Sequence, residues 1–347
     1  MKNNTPVWSS RSSQSGASRV GFQESWYLKL NDSEGQDAFW LRFNVLLSKN
    51  GFRRVAEVWA VVFRREENRE IQKVALKQSH NIKSFSSTDE EGKTVIHVGD
   101  CELGDGFTRG SIITKGKSLK WDLRFAPAQN VSFDLFPKSM IRSKFLKTQI
   151  KTVAEDLRFD GTTELTTDTE TKTQTWENAF GMQAHLAGSQ SPYSWVWGHC
   201  NSFVNEQKQF VPFVFEGLSV KARVAGKIHS PRLSSFYFLY QGKEYEFNKL
   251  WDTIRTRSRQ TLTEWEFQAE RGDFSFRGHA KAEHRDFAGM TFEDTDGSLL
   301  YSASSQLSNM TIWVYRRGKL ETTLRSNGTT ALELVSRRKN PYVPLLM

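Results

Sequence analysis

Hydrophobic and polar residues alternate along most of the chain, and turn-forming residues separate the alternating runs. A period of two is the pattern of β-strands that bury one face. The first runs span residues 24–30, 38–46 and 54–64, and the third is apolar on both faces, which predicts a central strand. The pattern predicts about 18–20 short strands at a spacing of roughly 8–15 residues, which is typical of sandwiches and barrels.

Little helix is predicted, and only residues 133–147 and 250–255 suit a short one. Residues 164–176 form a Thr-rich polar stretch with the composition of a turn or linker. Because one all-β domain rarely holds so many strands, we expect two barrel-like domains. The boundary is expected between the Thr-rich stretch and Ser191.

Composition excludes several classes of protein. The chain has 347 residues, enough for one large domain or two ordinary ones, and 13% of them are aromatic. Disordered chains are poor in aromatic residues, so this chain is expected to fold. With only two cysteines, Cys101 and Cys200, a disulfide scaffold and a thiolate zinc cluster are excluded. The seven histidines are dispersed, and we expect no metal site.

The net charge is +9, but the basic residues are spread along the chain in short runs. Without a zinc-finger or RNP pattern, we expect no nucleic-acid partner. Weak attraction to an anionic membrane surface and plain solubility both remain open. No apolar run approaches the roughly 18 residues of a membrane span, and the polar N-terminus lacks a signal-like apolar region. We therefore expect a cytoplasmic protein without a transmembrane segment.

One row of aromatic residues stands out as a candidate binding surface. In a strand, Tyr193, Trp195, Trp197 and His199 share a face, and Asn201 continues the row. Such a wall suits a large flat or polyunsaturated ligand. It equally suits an ordinary aromatic core, and the sequence leaves both interpretations open.

Three upstream strands each place a charged residue and a tryptophan on one face. A charge on a half-buried strand is costly unless it is paired. One interpretation is a structural network of carboxylates and guanidinium. The other is a polar end of an apolar cavity, where a carboxyl kept protonated by burial exchanges a proton. The three pairs are Glu24 with Trp26, Trp40 with Arg42, and Glu57 with Trp59.

Several segments resemble the two-domain lipocalin-like (calycin) superfamily, which includes AttH-like proteins, carotenoid 1,2-hydratases and, more distantly, tocopherol cyclases and fungal pericyclases. The segment 181–185 resembles the stretch joining the two barrels, where many relatives read Gly-His-Asn-Trp-Gly. This chain keeps His185 and Gly188 and lacks the Asn-Trp. The resemblance covers most of the chain and rests on residues 24–29, 39–43, 56–60, 119–125 (with Trp-Asp-Leu), 181–185, 193–201, 215–219 and 296–298.

The resemblance implies two antiparallel lipocalin-like β-barrels packed together, with an apolar ligand cavity near their interface. We assign residues 1–20 to a disordered polar N-terminus, 21–185 to the N-terminal barrel and 186–347 to the C-terminal barrel. The candidate ligand-binding residues are Trp26, Trp40, Arg42, Trp59, His185, Tyr193, Trp195, Trp197, Asn201 and Glu216.

In the hydratase and cyclase relatives the chemistry is proton delivery to an isoprenoid alkene without a cofactor. Glu57, Glu24 and His199 are the catalytic candidates here, and tryptophan faces would stabilise a cation. Three hypotheses stay open. The protein binds a hydrophobic, isoprenoid- or lipid-like molecule; it is a cofactor-free hydratase, cyclase or isomerase; or it is a structural or interaction protein without a ligand.

Overall fold

The computed structural model describes residues 4–7, 21–90, 93–114, 116–136, 147–225, 228–249, 251–252 and 256–347. Within these ranges the chain is almost entirely antiparallel strand, as the alternation predicts. Two short 3-10 turns, Ile82–Ser84 and His284–Asp286, interrupt it. The strands form two sheets of 12 strands each.

The first sheet closes nearly into a barrel, because β4 returns to lie beside β8. Its strand order is β4-β3-β2-β1-β12-β11-β9-β8-β7-β6-β5, with β10 paired to β11. Its strands are β1 (Phe22–Asn31), β2 (Asp37–Leu47), β3 (Arg54–Arg65), β4 (Ile71–Asn81), β5 (Phe85–Glu90), β6 (Lys93–Val98), β7 (Cys101–Gly104), β8 (Phe107–Thr114), β9 (Lys117–Gln129), β10 (Phe133–Asp134), β11 (Thr148–Thr166) and β12 (Thr171–Gly188).

The second sheet has the order β18-β17-β16-β13-β24-β23-β21-β20-β19. Arg232 Nη1 donates to Gln260 Oε1 at 2.8 Å, which holds β19 close to β17. Its strands are β13 (Ser194–Cys200), β14 (Phe203–Val204), β15 (Phe210–Val211), β16 (Phe213–Ala225), β17 (Ile228–Tyr240), β18 (Lys243–Phe247), β19 (Arg257–Gln260), β20 (Glu264–Arg271), β21 (Phe274–Lys281), β22 (Ala288–Glu293), β23 (Leu299–Arg316) and β24 (Lys319–Ser336).

The Thr-rich stretch, for which the composition indicated a turn or a linker, contains the turn of a β-hairpin and is not a linker. Residues 164–176 are the end of β11, a turn, and the start of β12. The turn closes with Thr167 N donating to Glu170 O at 2.8 Å. Trp176 anchors the hairpin in the core of the first barrel, with its Nε1 donating to Thr163 Oγ1 at 3.1 Å. Residues 189–193 connect the two sheets.

Other predictions fall partly outside the described residues. Of the 133–147 segment expected to be helical, Phe133–Asp134 is strand β10, and residues 137–146 lie outside the described ranges. Most of the 250–255 segment lies outside them as well. Of the N-terminus, residues 1–3 and 8–20 are not described, while Asn4 is buried and its Oδ1 accepts a hydrogen bond from Gln183 Nε2 at 2.7 Å.

The interior of each barrel is filled by its own side chains. Trp26, Trp121 and Phe159 lie in the core of the first barrel, and Trp265 and Phe276 lie in that of the second. Two further apolar clusters join strands from both sheets. Each barrel thus has its own apolar core, and the two shared clusters pack the barrels against each other.

Candidate functional site

A cavity of about 360 Å³ lies between the two barrels. Strands β1 to β4, β11 and β12 supply its wall from the first barrel, and β13, β16, β22, β23 and β24 supply it from the second. A volume of this size lies within the range of small-molecule sites. The cavity lies near the domain interface, where the sequence resemblance predicted one.

Four tryptophans form the apolar walls of the cavity. Trp40 and Trp59 come from the first barrel, and Trp195 and Trp197 from the second. Alternation along β2, β3 and β13 places these residues on the faces turned toward the other domain. Tyr27 meets Trp197 edge-on, with ring centroids 5.7 Å apart. Aromatic surfaces arranged in this way suit a flat or unsaturated molecule.

Glu333 and Arg42 are two charged side chains in the wall of the cavity, and they interact electrostatically with each other. Burial raises the pKa of Glu333 to about 7, although the Arg42 charge and a hydrogen bond from Trp195 act in the opposite direction. Arg42 is held in place by Ser25, whose Oγ accepts from Arg42 Nη2 at 2.8 Å. A carboxyl that is half protonated near neutral pH therefore faces the same space as a fixed cation.

Glu57 also lines the cavity, but its surroundings keep it ionised. Its Oε1 lies 3.0 Å from Lys77 Nζ and 3.1 Å from Arg53 Nη2, and it accepts from Ser79 Oγ at 2.9 Å. Its Oε2 accepts from Trp59 Nε1 at 3.1 Å. Burial alone would raise the pKa of Glu57, but these partners outweigh it and the pKa is lowered. The structure thus favours an electrostatic role for Glu57 over that of a proton donor.

A second pair of carboxyls lies behind Trp197. Trp197 Nε1 donates to Glu216 Oε1 at 2.9 Å, and Thr152 Oγ1 donates to Glu216 Oε2 at 2.5 Å. Glu155 lies beside Glu216, and both side chains are fully buried. Burial raises the pKa of each, and their mutual repulsion raises that of Glu155 further. Trp197 separates this buried pair from the cavity.

Glu24, Trp26 and His185 do not line the cavity. The three side chains point into the first barrel, where Trp26 stacks on His185 with ring centroids 4.8 Å apart. His185 Nε2 lies 2.8 Å from Glu24 Oε1. The alternating partners Gln23 and Tyr27 face the cavity instead. The sequence correctly paired Glu24 with Trp26 on one face, but it could not show which domain that face meets.

The remaining candidates lie around the cavity. His199 Nε2 is 2.9 Å from the Glu155 carbonyl oxygen, and Asn201 Nδ2 donates to Asp156 Oδ1 at 2.9 Å, so both join the domains behind Trp197. Tyr193 precedes β13 and packs on His229, with ring centroids 3.7 Å apart. Glu216 lies in the buried carboxyl pair. Of the predicted residues, the cavity brings together Trp40, Arg42, Glu57, Trp59, Trp195 and Trp197.

Sequence analysis missed Glu333, Tyr27 and Lys77 in the cavity wall. The segment 331–335 reads Ala-Leu-Glu-Leu-Val, and Glu333 is its one charged residue. A carboxyl within an apolar strand was therefore an available signal. Tyr27 and Lys77 gave no comparable signal, because tyrosine and lysine are common on strands with a solvent-facing side.

The structure of the chain is similar to that of CghA, solved with Sch210972. The likeness covers 92% of this chain and 88% of CghA, with a TM-score of 0.58 and 8% sequence identity. It confirms the predicted two-domain lipocalin-like fold. No protein-family model matches the chain, and no curated protein matches its sequence.

Two further solved structures share weaker likenesses. The AttH candidate NE1406 of Nitrosomonas europaea has a TM-score of 0.46 at 10% identity, over 91% of this chain and 92% of that one. The kievitone hydratase of Nectria haematococca has a TM-score of 0.48 at 10% identity, over 92% of this chain and 90% of that one. In the described part of this chain, no helix has the length and apolar character to cross a membrane.

Proposed function

We propose that the protein binds an apolar small molecule of isoprenoid or lipid type, with one polar group, between its two barrels. The observation that carries this is an interdomain cavity lined by four tryptophans and by the charged pair Glu333 and Arg42. The apolar body of the ligand would lie against the indoles. Its polar group would meet the carboxyl and the guanidinium.

The expected affinity is sufficient for a carrier. At about −0.3 kcal/mol per heavy atom, a ligand of roughly 25–30 atoms reaches about −8 to −9 kcal/mol, or near micromolar. CghA, which shares the fold, was solved with a small molecule. This supports small-molecule binding as a use of the fold.

Ligand titration with matched tryptophan variants tests the proposal. Retinol and an isoprenoid quinone serve as probes, with binding followed by tryptophan quenching. We expect Trp59→Leu and Thr291→Trp to weaken binding at least about tenfold, because the first removes a wall and the second fills the space. Trp313→Ala changes a half-buried tryptophan outside the cavity and should bind like the wild type. Equal affinities in all four proteins, or no binding by any, would refute the proposal.

A second function, acid catalysis on the bound molecule, is favoured by Glu333. A carboxyl with a pKa of about 7 can transfer its proton to an alkene carbon, leaving a carbocation that the indole faces stabilise. Water adds to the cation and then loses a proton, or a second alkene adds to give a new cation that loses a proton from carbon. In either case the carboxylate takes up the released proton. The chain would thus act as a cofactor-free hydratase, cyclase or isomerase, with Glu333 rather than Glu57 as the acid.

The test for catalysis is Glu333→Gln assayed on the molecule found in the cavity. The variant should bind this molecule but turn it over at least about 100-fold more slowly. Wild-type turnover should fall as the pH rises above about 7, because the carboxylate has no proton to give. Glu24→Gln removes a buried carboxyl outside the cavity and serves as the control. Full turnover by Glu333→Gln would exclude Glu333 as the acid, and no turnover by the wild type would leave binding as the function.

A further inference from the structure

Phe52 lies at the tip of the β2–β3 hairpin. Its side chain is 91% exposed, the highest value among the large hydrophobic residues that the structure describes. Hydrogen bonds hold the turn: Ser48 N donates to Arg53 O at 2.9 Å, and Phe52 N donates to Asn50 Oδ1 at 3.2 Å. Gly51 has a φ of +75°, which glycine adopts without strain. The turn therefore presents a large apolar side chain to solvent on a fixed support.

This turn lies beside the opening of the cavity. Lys49 N donates to Thr295 O at 2.7 Å, and Arg53 Nε lies 2.9 Å from Glu293 Oε2, so the hairpin is anchored to the second barrel. Arg53 and Glu293 both line the cavity. Leu299, the cross-strand partner of Glu293, lines it as well and is 44% exposed. Two exposed apolar side chains, Phe52 and Leu299, thus lie close to Arg53 and Glu293 of the cavity wall.

The β2–β3 turn, residues 48–54, forms the rim of the opening and carries two exposed cations, Lys49 and Arg54. Neither makes an ion pair with a carboxylate within the described ranges, so both are free to meet an anionic partner.

The nearby acids are already neutralised. Asp296 Oδ2 lies 2.8 Å from Arg223 Nη1, and Asp294 Oδ2 lies 2.6 Å from Arg337 Nη2. Glu293 is paired to Arg53. The rim therefore combines an apolar tip with uncompensated positive charge.

We propose that this rim docks on an anionic membrane surface, so that the apolar ligand enters or leaves the cavity from the bilayer. Phe52 would enter the headgroup region, while Lys49 and Arg54 would contact lipid phosphates. One aromatic residue and a few cations give reversible, salt-sensitive association, which is what a lipid carrier requires. The ligand-entry part of this inference rests on the proposed function, whereas the docking itself can be measured without any ligand.

Vesicle flotation tests the docking with a matched pair of variants. The wild type should float with vesicles of phosphatidylcholine and phosphatidylserine, bind vesicles of phosphatidylcholine alone more weakly, and detach as salt is raised. Phe52→Ser and the double variant Lys49→Glu with Arg54→Glu should each lower binding about fivefold or more. All the changed residues are exposed, so the variants should fold.

Leu320→Ser provides the control. Leu320 is 53% exposed and has Arg317 and Lys319 beside it, but it lies at the β23–β24 turn, beyond the end of β23 opposite to Leu299. It should bind vesicles like the wild type. Equal losses in Phe52→Ser and Leu320→Ser, or a wild type that floats with neither kind of vesicle, would overturn the proposal.

The retinol titration in vesicle-free buffer separates this inference from the proposed function. Phe52→Ser should retain wild-type retinol affinity there, because Phe52 does not line the cavity. Vesicle binding without any ligand binding would leave the docking in place and remove the proposed function. Ligand binding without vesicle binding would do the reverse.

Discussion

Two carboxyls that line one cavity, Glu57 and Glu333, differ in protonation because their neighbours differ. Glu57 forms ion pairs with Lys77 and Arg53 and accepts a hydrogen bond from Ser79. These three partners stabilise its charged form. Glu333 has Arg42 and the Trp195 indole, and these do not offset its burial. The sequence analysis selected Glu57 and missed Glu333, because the partners around each carboxyl come from strands that are far apart in sequence. Residue type alone therefore could not select the acid.

The shifted pKa of Glu333 predicts a pH-dependent stability. Its folded-state pKa of about 7 lies above the ordinary 4.5, so as the pH rises between these values the unfolded chain loses the proton first and the folded state loses stability. Glu333→Gln removes this effect. We expect the variant to be more stable than the wild type by about 3 kcal/mol at about pH 8, with a difference that shrinks toward about pH 5.

Urea denaturation across this pH range measures the difference in unfolding free energy. Glu57→Gln provides the contrast, because it leaves Lys77 and Arg53 without their shared carboxylate and should destabilise the protein at neutral pH. A Glu333→Gln variant that is less stable than the wild type at about pH 8 would mean that Glu333 is ionised and paired in the folded protein.

Among the strands, β1 shows what alternation can and cannot predict. The pattern correctly placed Glu24 and Trp26 on one face, since side chains of a strand alternate. Nearly every residue of β1 is buried, however, because one face fills the barrel and the other meets the second domain. With both faces buried, hydropathy no longer distinguishes the inner face from the interface. That is why Trp26 was predicted for the site and Tyr27 was not.

The β11–β12 hairpin shows a different failure of pattern reading. Its threonines alternate with polar residues, so the stretch looks like a linker, although threonine also favours strands. Trp176 is the residue that ties it to the core, and it is 2% exposed.

We expect Trp176→Ala to lower the unfolding free energy by about 3–5 kcal/mol. Exposed Thr173→Ala should change it by less than about 0.5 kcal/mol, and chemical denaturation of both variants is the measurement. Equal, small effects would indicate a mobile linker.

For the molecule as a whole, the strand cadence was enough to predict two all-β domains, and the resemblance was enough to predict their fold. Neither could give the strand order within each sheet, since pairings such as β1 with β12 join residues far apart in the chain. The cavity exists only because the two barrels pack against each other. Its walls come from both barrels, whereas the interior of each barrel is occupied by that barrel's own apolar core. The sequence predicted its four tryptophans as ligand-binding residues. It could not predict that they come together across the interface between the domains.

Native mass spectrometry of the purified wild type and of Thr291→Trp, with organic extraction of bound material, tests most directly whether the interdomain cavity holds a ligand. We expect the wild type to carry, or to take up from a panel of retinoids, carotenoid precursors and quinones, one apolar molecule per chain. Thr291→Trp should carry much less, because the added indole occupies the cavity. A wild type that carries nothing and takes up nothing, or equal loading of both proteins, would show that this cavity is not a ligand site.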